Sequence, residues 1–173
     1  MTTTQQVRQA FRVRAIDPLV LAQLRVLDDA GHAPRMVQDA EGGSPLRCCL
    51  RRSRPGERIA LVSYAPLRRW AAETGADPGP YDEVGPVFVH PEPCDGPVAD
   101  GFPAELAGLP RMLRSYSADG RILDGRLAGG DDLRDQESAR LLIEEILADP
   151  RVAVMHARAV DFGCFTFEIQ RAG

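Results

Sequence analysis

Apolar and polar residues alternate from Phe11 to Ile16, a period of two that predicts a strand with one buried face. Asp17-Pro18 then offers a helix cap followed by proline at the first helical position. Val20, Leu24 and Leu27 follow at helical spacing and Gly31 ends the pattern, which predicts a short amphipathic helix. Residues 58–64 and 84–90 are apolar and partly β-branched and read as strands, and 111–117 with 121–127 read as a hairpin around Asp119-Gly120. Asp131 or Asp132 is placed to cap a helix running to Ala148. In it Ala139, Leu142, Ile143, Ile146 and Leu147 form one apolar stripe, and Pro150 closes it.

The last twenty residues carry the sharpest pattern. Residues 151–160 and 164–170 predict two strands joined by Asp161-Phe162-Gly163, whose glycine suits the left-handed position of a three-residue hairpin loop. That loop sets Val160 opposite Cys164, Arg158 opposite Thr166 and His156 opposite Glu168. Met155, Ala157, Ala159, Phe165, Phe167 and Ile169 then share an apolar side. A two-residue loop would instead shift the register by one and put aromatic rings beside His156 and Arg158. The three-residue version separates polar from apolar more cleanly. Hairpin-linked strands with few helices predict an α+β fold, with a mainly antiparallel sheet, about two helices and long Pro/Gly-rich loops. We expect one domain over 11–173, preceded by an N-terminal tail at 1–10.

Composition narrows the chemistry. The chain has 173 residues and a formal charge of −4, and every one of its 21 basic residues is arginine, since lysine and asparagine are both absent. A domain of this size can bury about 70% of its unfolded surface without disulfides or metal. The lack of lysine excludes side-chain Schiff bases, lysine-anchored pyridoxal phosphate and phosphate loops ending in Gly-Lys-Ser/Thr. Residues 1–11 lack the basic-then-apolar pattern of a secretory signal, and no apolar run approaches the roughly 18 residues of a membrane helix. We therefore expect a soluble cytoplasmic protein with no membrane partner, in which Cys48, Cys49, Cys94 and Cys164 are free thiols. The net negative charge argues against nucleic acid as a partner. The stretch from Arg47 to Arg58 runs the other way, with five arginines and one acid, and reads as a solvated face or as an anion-recognising patch.

Several residues could carry chemistry. His90-x-Glu92-x-Cys94 partly matches the zinc deaminase signature, but the second Pro-Cys-x-x-Cys element of that signature is missing. It still places His90, Glu92 and Cys94 in a stiff, proline-rich turn after a strand. Asp161-Phe162-Gly163 copies a kinase magnesium tripeptide without the rest of a kinase, and reads as a turn. His156, Arg158 and Glu168 on one side of the last hairpin must pair or face a polar cleft, because burying three ionisable groups together is costly. Cys164 near His156 and Arg158, or Cys94 near His90, satisfies the requirement for a nucleophilic thiol.

The order Pro45-x-Arg47-x-Cys49-Leu50, Pro55-Gly56-Glu57, Ser63-Tyr64-x-Pro66, Pro80-Tyr81-x-Glu83-x-Gly85-Pro86-x-Phe88-x-His90-x-Glu92-x-Cys94, Arg114-x-Tyr116 and His156-x-Arg158 with Gly163-Cys164 resembles the bacterial family of domain of unknown function 1203. The resemblance runs from about residue 11 to the end of the chain. It implies a small single-domain bacterial protein and no assigned activity.

These readings combine into one expected cleft, built from the 90–94 turn and the polar face of the final hairpin, that binds, and could also transform, a small anionic metabolite. Arg47, Arg114 and Arg158, with Glu83, Glu92 and Tyr116, would hold the ligand; His90 and His156 would move protons, and Cys94 or Cys164 would be the nucleophile. No cofactor is required. Two alternatives stand beside it: a non-catalytic zinc module using Cys94, Cys164, His90 and His156, and a homodimeric interaction domain that buries the 75–110 loop.

Overall fold

The computed structural model describes residues 9–173, so most of the expected tail, residues 1–8, lies outside the described residues. In chain order the elements are β1 (Phe11–Arg14), α1 (Pro18–Leu24), β2 (Arg35–Asp39), β3 (Glu57–Tyr64), α2 (Pro66–Thr74), β4 (Gly85–Val89), β5 (Arg111–Tyr116), β6 (Ile122–Ala128), α3 (Gln136–Leu147), β7 (Val154–Ala159) and β8 (Phe165–Arg171). The fold is α+β. Its strands form two antiparallel sheets, β1-β8-β7-β5-β6 and β2-β3-β4, rather than one.

The five-stranded sheet is covered on both faces. Leu113, Met155, Ala157, Phe167 and Ile169 point to one side and meet the α3 stripe Ala139, Leu142, Ile143 and Leu147. On the other side Phe165 packs with Ile59, Val62, Val87 and Val89 of the small sheet and with Leu21 and Leu24 of α1. Tyr116 and Val154 meet Leu67, Trp70 and Ala71 of α2. The face expected to be polar is therefore largely interior.

Local signals explain where elements begin and end. Asp17 accepts from the Leu19 amide at 2.8 Å to cap α1, but that helix stops at Leu24 and leaves Leu27 exposed. Its predicted extension is replaced by a turn in which Asp28 Oδ1 accepts from the Ala30 and His32 amides at 3.0 and 2.8 Å. The cap of α3 is Asp135, accepting from Ser138 at 2.8 Å, whereas Asp132 holds the Gly129 amide in the preceding turn. The unpredicted α2 has proline at its first position and Gly75 at φ 78° past its last, a start and stop pair matched by Leu67, Trp70 and Ala71 on one face.

The final hairpin keeps half of its expected register. His156 pairs with Glu168 and Ala157 with Phe167, but a bulge between Ala157 and Arg158 brings Arg158 opposite Phe165 and leaves Thr166 as the extra residue. Phe165 thus moves from the α3 side to the side of His156, with ring centroids 5.2 Å apart.

Candidate functional site

Two clefts divide the residues that were expected to share one. The first is built on the segment between β2 and β3. Pro45 and Arg52 form an antiparallel bridge, the Leu46 amide donates to the Arg51 carbonyl at 2.9 Å, and the Leu50 amide donates to the Leu46 carbonyl at 2.9 Å. Leu50 closes this turn with φ 58°, a left-handed conformation that is unfavourable for leucine. Its side chain is buried in the α3 core, which holds it there. The turn presents both Cys48 and Cys49 toward the end of β4, because Leu46 also bridges Phe88 in parallel and the Arg47 amide donates to the Phe88 carbonyl at 2.9 Å.

His90 stands just past β4 and faces those thiols. Its Nδ1 lies 3.3 Å from Cys48 Sγ and 3.8 Å from Cys49 Sγ, the two sulfurs are 3.9 Å apart, and the His90 amide donates to Cys48 Sγ at 3.2 Å. Cys94 completes the group: the donor atoms of Cys48, Cys49, His90 and Cys94 all lie within 4.8 Å of one another. The other face of the imidazole is fixed. Nε2 lies 2.9 Å from Glu57 Oε1, and Arg51 donates to both Glu57 oxygens at 3.0 and 2.6 Å. Arg51 Nη2 also lies 2.8 Å from Nε2, so this nitrogen meets a donor and an acceptor at once; in the tautomer whose Nε2–H is donated to Glu57, Nδ1 carries the free lone pair on the sulfur side. Arg25, just beyond α1, pins the turn by donating to the carbonyls of His90 and Glu92 at 3.0 and 3.1 Å.

Electrostatics follow from these contacts. The Arg51 guanidinium, with the Arg54 amide and His90, holds Glu57 down to about 2 against the opposing effect of its burial. Cys48 donates its proton to Cys49. That hydrogen bond, with burial, pushes the Cys48 thiol up, while the same bond, the Arg51 amide and the charges of His90 and Arg51 pull Cys49 down. Cys49 is thus the more acidic thiol of the pair, and its Sγ lies 3.8 Å from the imidazole. The cluster opens on a cleft of about 540 Å³ whose walls include Leu50, Val98 and Phe102.

The second cleft lies at the tip of the last hairpin and shares no lining residue with the first. Arg158 and Arg114 both donate to Glu83 Oε2, at 2.5 and 2.9 Å, and Arg158 also donates to the Gly163 carbonyl at 2.7 Å. Cys164 lines this cleft, remote from the other three cysteines, so the zinc set expected from Cys94, Cys164, His90 and His156 does not assemble. His156 and Tyr116 line neither cleft: both are fully buried, with ring centroids 4.8 Å apart.

Arg47 is buried too, and donates to the Phe165 carbonyl at 2.8 Å and to the Pro45 carbonyl, so it holds the hairpin and not a ligand. Burial lowers it to about 10. Glu92 is exposed and contributes its backbone carbonyl to Arg25. The arginine-rich stretch is partly tied up within the fold: Arg51 pairs with Glu57 and Arg54 with Glu105, while the Arg52 guanidinium donates to the Gly43 and Glu105 carbonyls. Sequence reasoning misses Cys48, Cys49, Arg51 and Glu57 as site residues. The signals for them are two adjacent cysteines and a Pro-Gly-Glu turn, but only β3–β4 pairing for Glu57 and the Leu46–Phe88 bridge for the cysteines show that His90 lands on both.

An α+β architecture of two antiparallel sheets with a thiol–imidazole cluster at the end of β4 is the class that fold and site define. The family described as protein of unknown function (DUF1203) matches residues 43–171, and the chain belongs to it. No curated protein and no solved structure matches the chain. Among the described residues no helix is long and apolar enough to cross a membrane.

Proposed function

We propose that this protein is a metal-binding protein whose centre, Cys48, Cys49, Cys94 and His90, holds zinc in a Cys₃His site. One observation carries the reading: the donor atoms of Cys48, Cys49, Cys94 and His90 lie within 4.8 Å of one another, with Glu57 at the far nitrogen of the imidazole, the carboxylate–histidine arrangement that orients zinc ligands. The spacing supports it. With Zn–S near 2.3 Å and Zn–N near 2.05 Å, a tetrahedral site needs about 3.8 Å between sulfurs and about 3.6 Å from sulfur to nitrogen. Against this, Cys48 and Cys49 are 3.9 Å apart, and Nδ1 lies 3.3 and 3.8 Å from them.

Four protein donors make a closed site, which favours a structural role over water activation. Three thiolates and a divalent cation leave one net negative charge, and Arg51 stands beside it. Elemental analysis of the untagged protein tests this. About one equivalent of zinc is expected, falling by most of its value in Cys49→Ser and His90→Ala and unchanged in Cys164→Ser. Metal well below one equivalent with all four thiols titrating as free defeats the reading. Arg158, which lines the second cleft and shares Glu83 with Arg114, favours an anionic ligand there instead.

A further inference from the structure

We propose that the second cleft is a binding site for a carboxylate carried on an apolar body, with Arg158 as its anchor and Glu83 as a tethered competitor for the same guanidinium. The proposal is independent of the metal centre.

The cleft has a volume of about 320 Å³, within the range of small-molecule sites. Its charged end is Arg158, whose side chain is 11% exposed while that of its partner Glu83 is 48% exposed. A guanidinium presents Nε–H and one Nη–H side by side, matched to the two oxygens of a carboxylate. Glu83 uses this fork incompletely. Its Oε2 sits 2.5 Å from Arg158 Nη2, while Arg158 Nε is buried and makes no hydrogen bond among the described residues. The same Glu83 oxygen is shared with Arg114 at 2.9 Å, so two arginines converge on a single carboxylate and one positive charge is left over. In the proposed complex a free carboxylate replaces Glu83 on Nη2 and also reaches Nε, which is closed to solvent and unpartnered while Glu83 is in place. Because Glu83 lies on the loop before β4 and is half exposed, it can be displaced into solvent without opening the core.

The rest of the cleft specifies the other half of the ligand. Pro66, Val84 and Phe162 form apolar walls, Phe162 is 86% exposed at the hairpin tip and Val84 is 42% exposed. A ligand with an apolar body would cover surface that the folded chain leaves in water. Phosphate alone would use the arginines and none of these walls, so a hydrophobic monocarboxylate fits better than an inorganic anion.

Benzoate serves as the probe, with benzamide as its uncharged counterpart, and calorimetric titration of the intact protein is the measurement. Wild type should bind benzoate saturably at millimolar concentration or below, and benzamide far more weakly. Glu83→Gln removes the competitor charge and should tighten benzoate binding by about tenfold, roughly 1.4 kcal/mol. Arg158→Gln should abolish binding; because Arg158 is buried, Phe162→Ser provides a surface variant that cannot unfold the core and should weaken binding several-fold. No saturable benzoate binding in wild type and Glu83→Gln overturns the proposal. So does equal binding of benzoate and benzamide, or binding that Phe162→Ser and Glu83→Gln both leave unchanged.

Discussion

His156 shows how a chemically suggestive residue becomes a packing residue. It is fully buried between Tyr116 and Phe165, neither ring nitrogen makes a hydrogen bond among the described residues, and Nε2 stands 3.5 Å from Glu168 Oε2. Burial pushes its pKa down, Glu168 opposes this, and Arg158 and Arg114 add to the lowering. A base depressed in the fold is neutral there and takes up its proton on unfolding. Its contribution is therefore complete above the unfolded value of about 6.5 and is lost as pH falls from there toward the folded value. His156→Leu should flatten the loss of stability between about pH 7.5 and about pH 5.5 and change stability at the higher pH by less than about 1.5 kcal/mol, since the ring's two nitrogens are unpaired in the fold. Urea unfolding at both pH values is the check, and equal slopes for variant and wild type would count against this account.

At the scale of elements, short polar staples set angles that periodicity leaves open. Asp28 ends the α1 turn by accepting from Ala30 and His32, and its second oxygen accepts from the Ser63 amide of β3 at 2.8 Å. Asp29 continues the staple, accepting from the Ala65 amide at 2.8 Å and pairing with Arg69 of α2 at 2.5 Å. Asp28→Ala strands these amide donors where the fold shields them, so we expect a loss of about 3 kcal/mol, read as a lower urea midpoint with an unchanged slope. A loss below about 0.5 kcal/mol would mean that water replaces the carboxylate. The bulge in the last hairpin belongs to the same scale. Hairpin parity places His156 and Glu168 correctly because they precede the bulge in the ladder from the open end, but it misplaces Phe165, which lies beyond the extra residue.

At the scale of the whole molecule, the cluster joins segments separated in sequence by 41 residues, from Cys49 to His90, up to 46, from Cys48 to Cys94. Closing such a loop is where a bound ion constrains the chain most. A metal that binds the folded chain and not the unfolded one adds about 4 kcal/mol when its free concentration is about a thousand times its Kd. Chelator should therefore lower the melting temperature of wild type by several degrees, about 2–4 °C for each kcal/mol at this size. Cys48→Ser should already melt lower and respond little to chelator. A wild-type melting temperature that ignores chelator, together with a variant that matches it, would leave the cluster without a stabilising role.

Elements whose signals are local are legible in the residues themselves. The β5–β6 turn at Asp119-Gly120, the start of α1 at Asp17-Pro18 and the stripe of α3 all arise from neighbours within a few residues, where backbone sterics and capping decide. The edge strand β2 is not legible, because Arg-Met-Val-Gln-Asp is mostly exposed and its order comes from pairing with β3. The site is legible only in part. His90 and Cys94 stand out in their proline-rich turn, yet β3–β4 register and the Leu46–Phe88 bridge decide that Cys48 and Cys49 are their partners. By itself the sequence determined an α+β chain with arginine as its sole permanent side-chain cation, and it singled out His90 and Cys94 but not Cys48, Cys49, Arg51 or Glu57. Tertiary structure alone decided that Tyr116 and Phe165 enclose His156, that Glu83 meets Arg158, and that thiols and imidazole converge. Those contacts depend on long-range register and packing, which a one-residue bulge can redirect while every local preference stays the same.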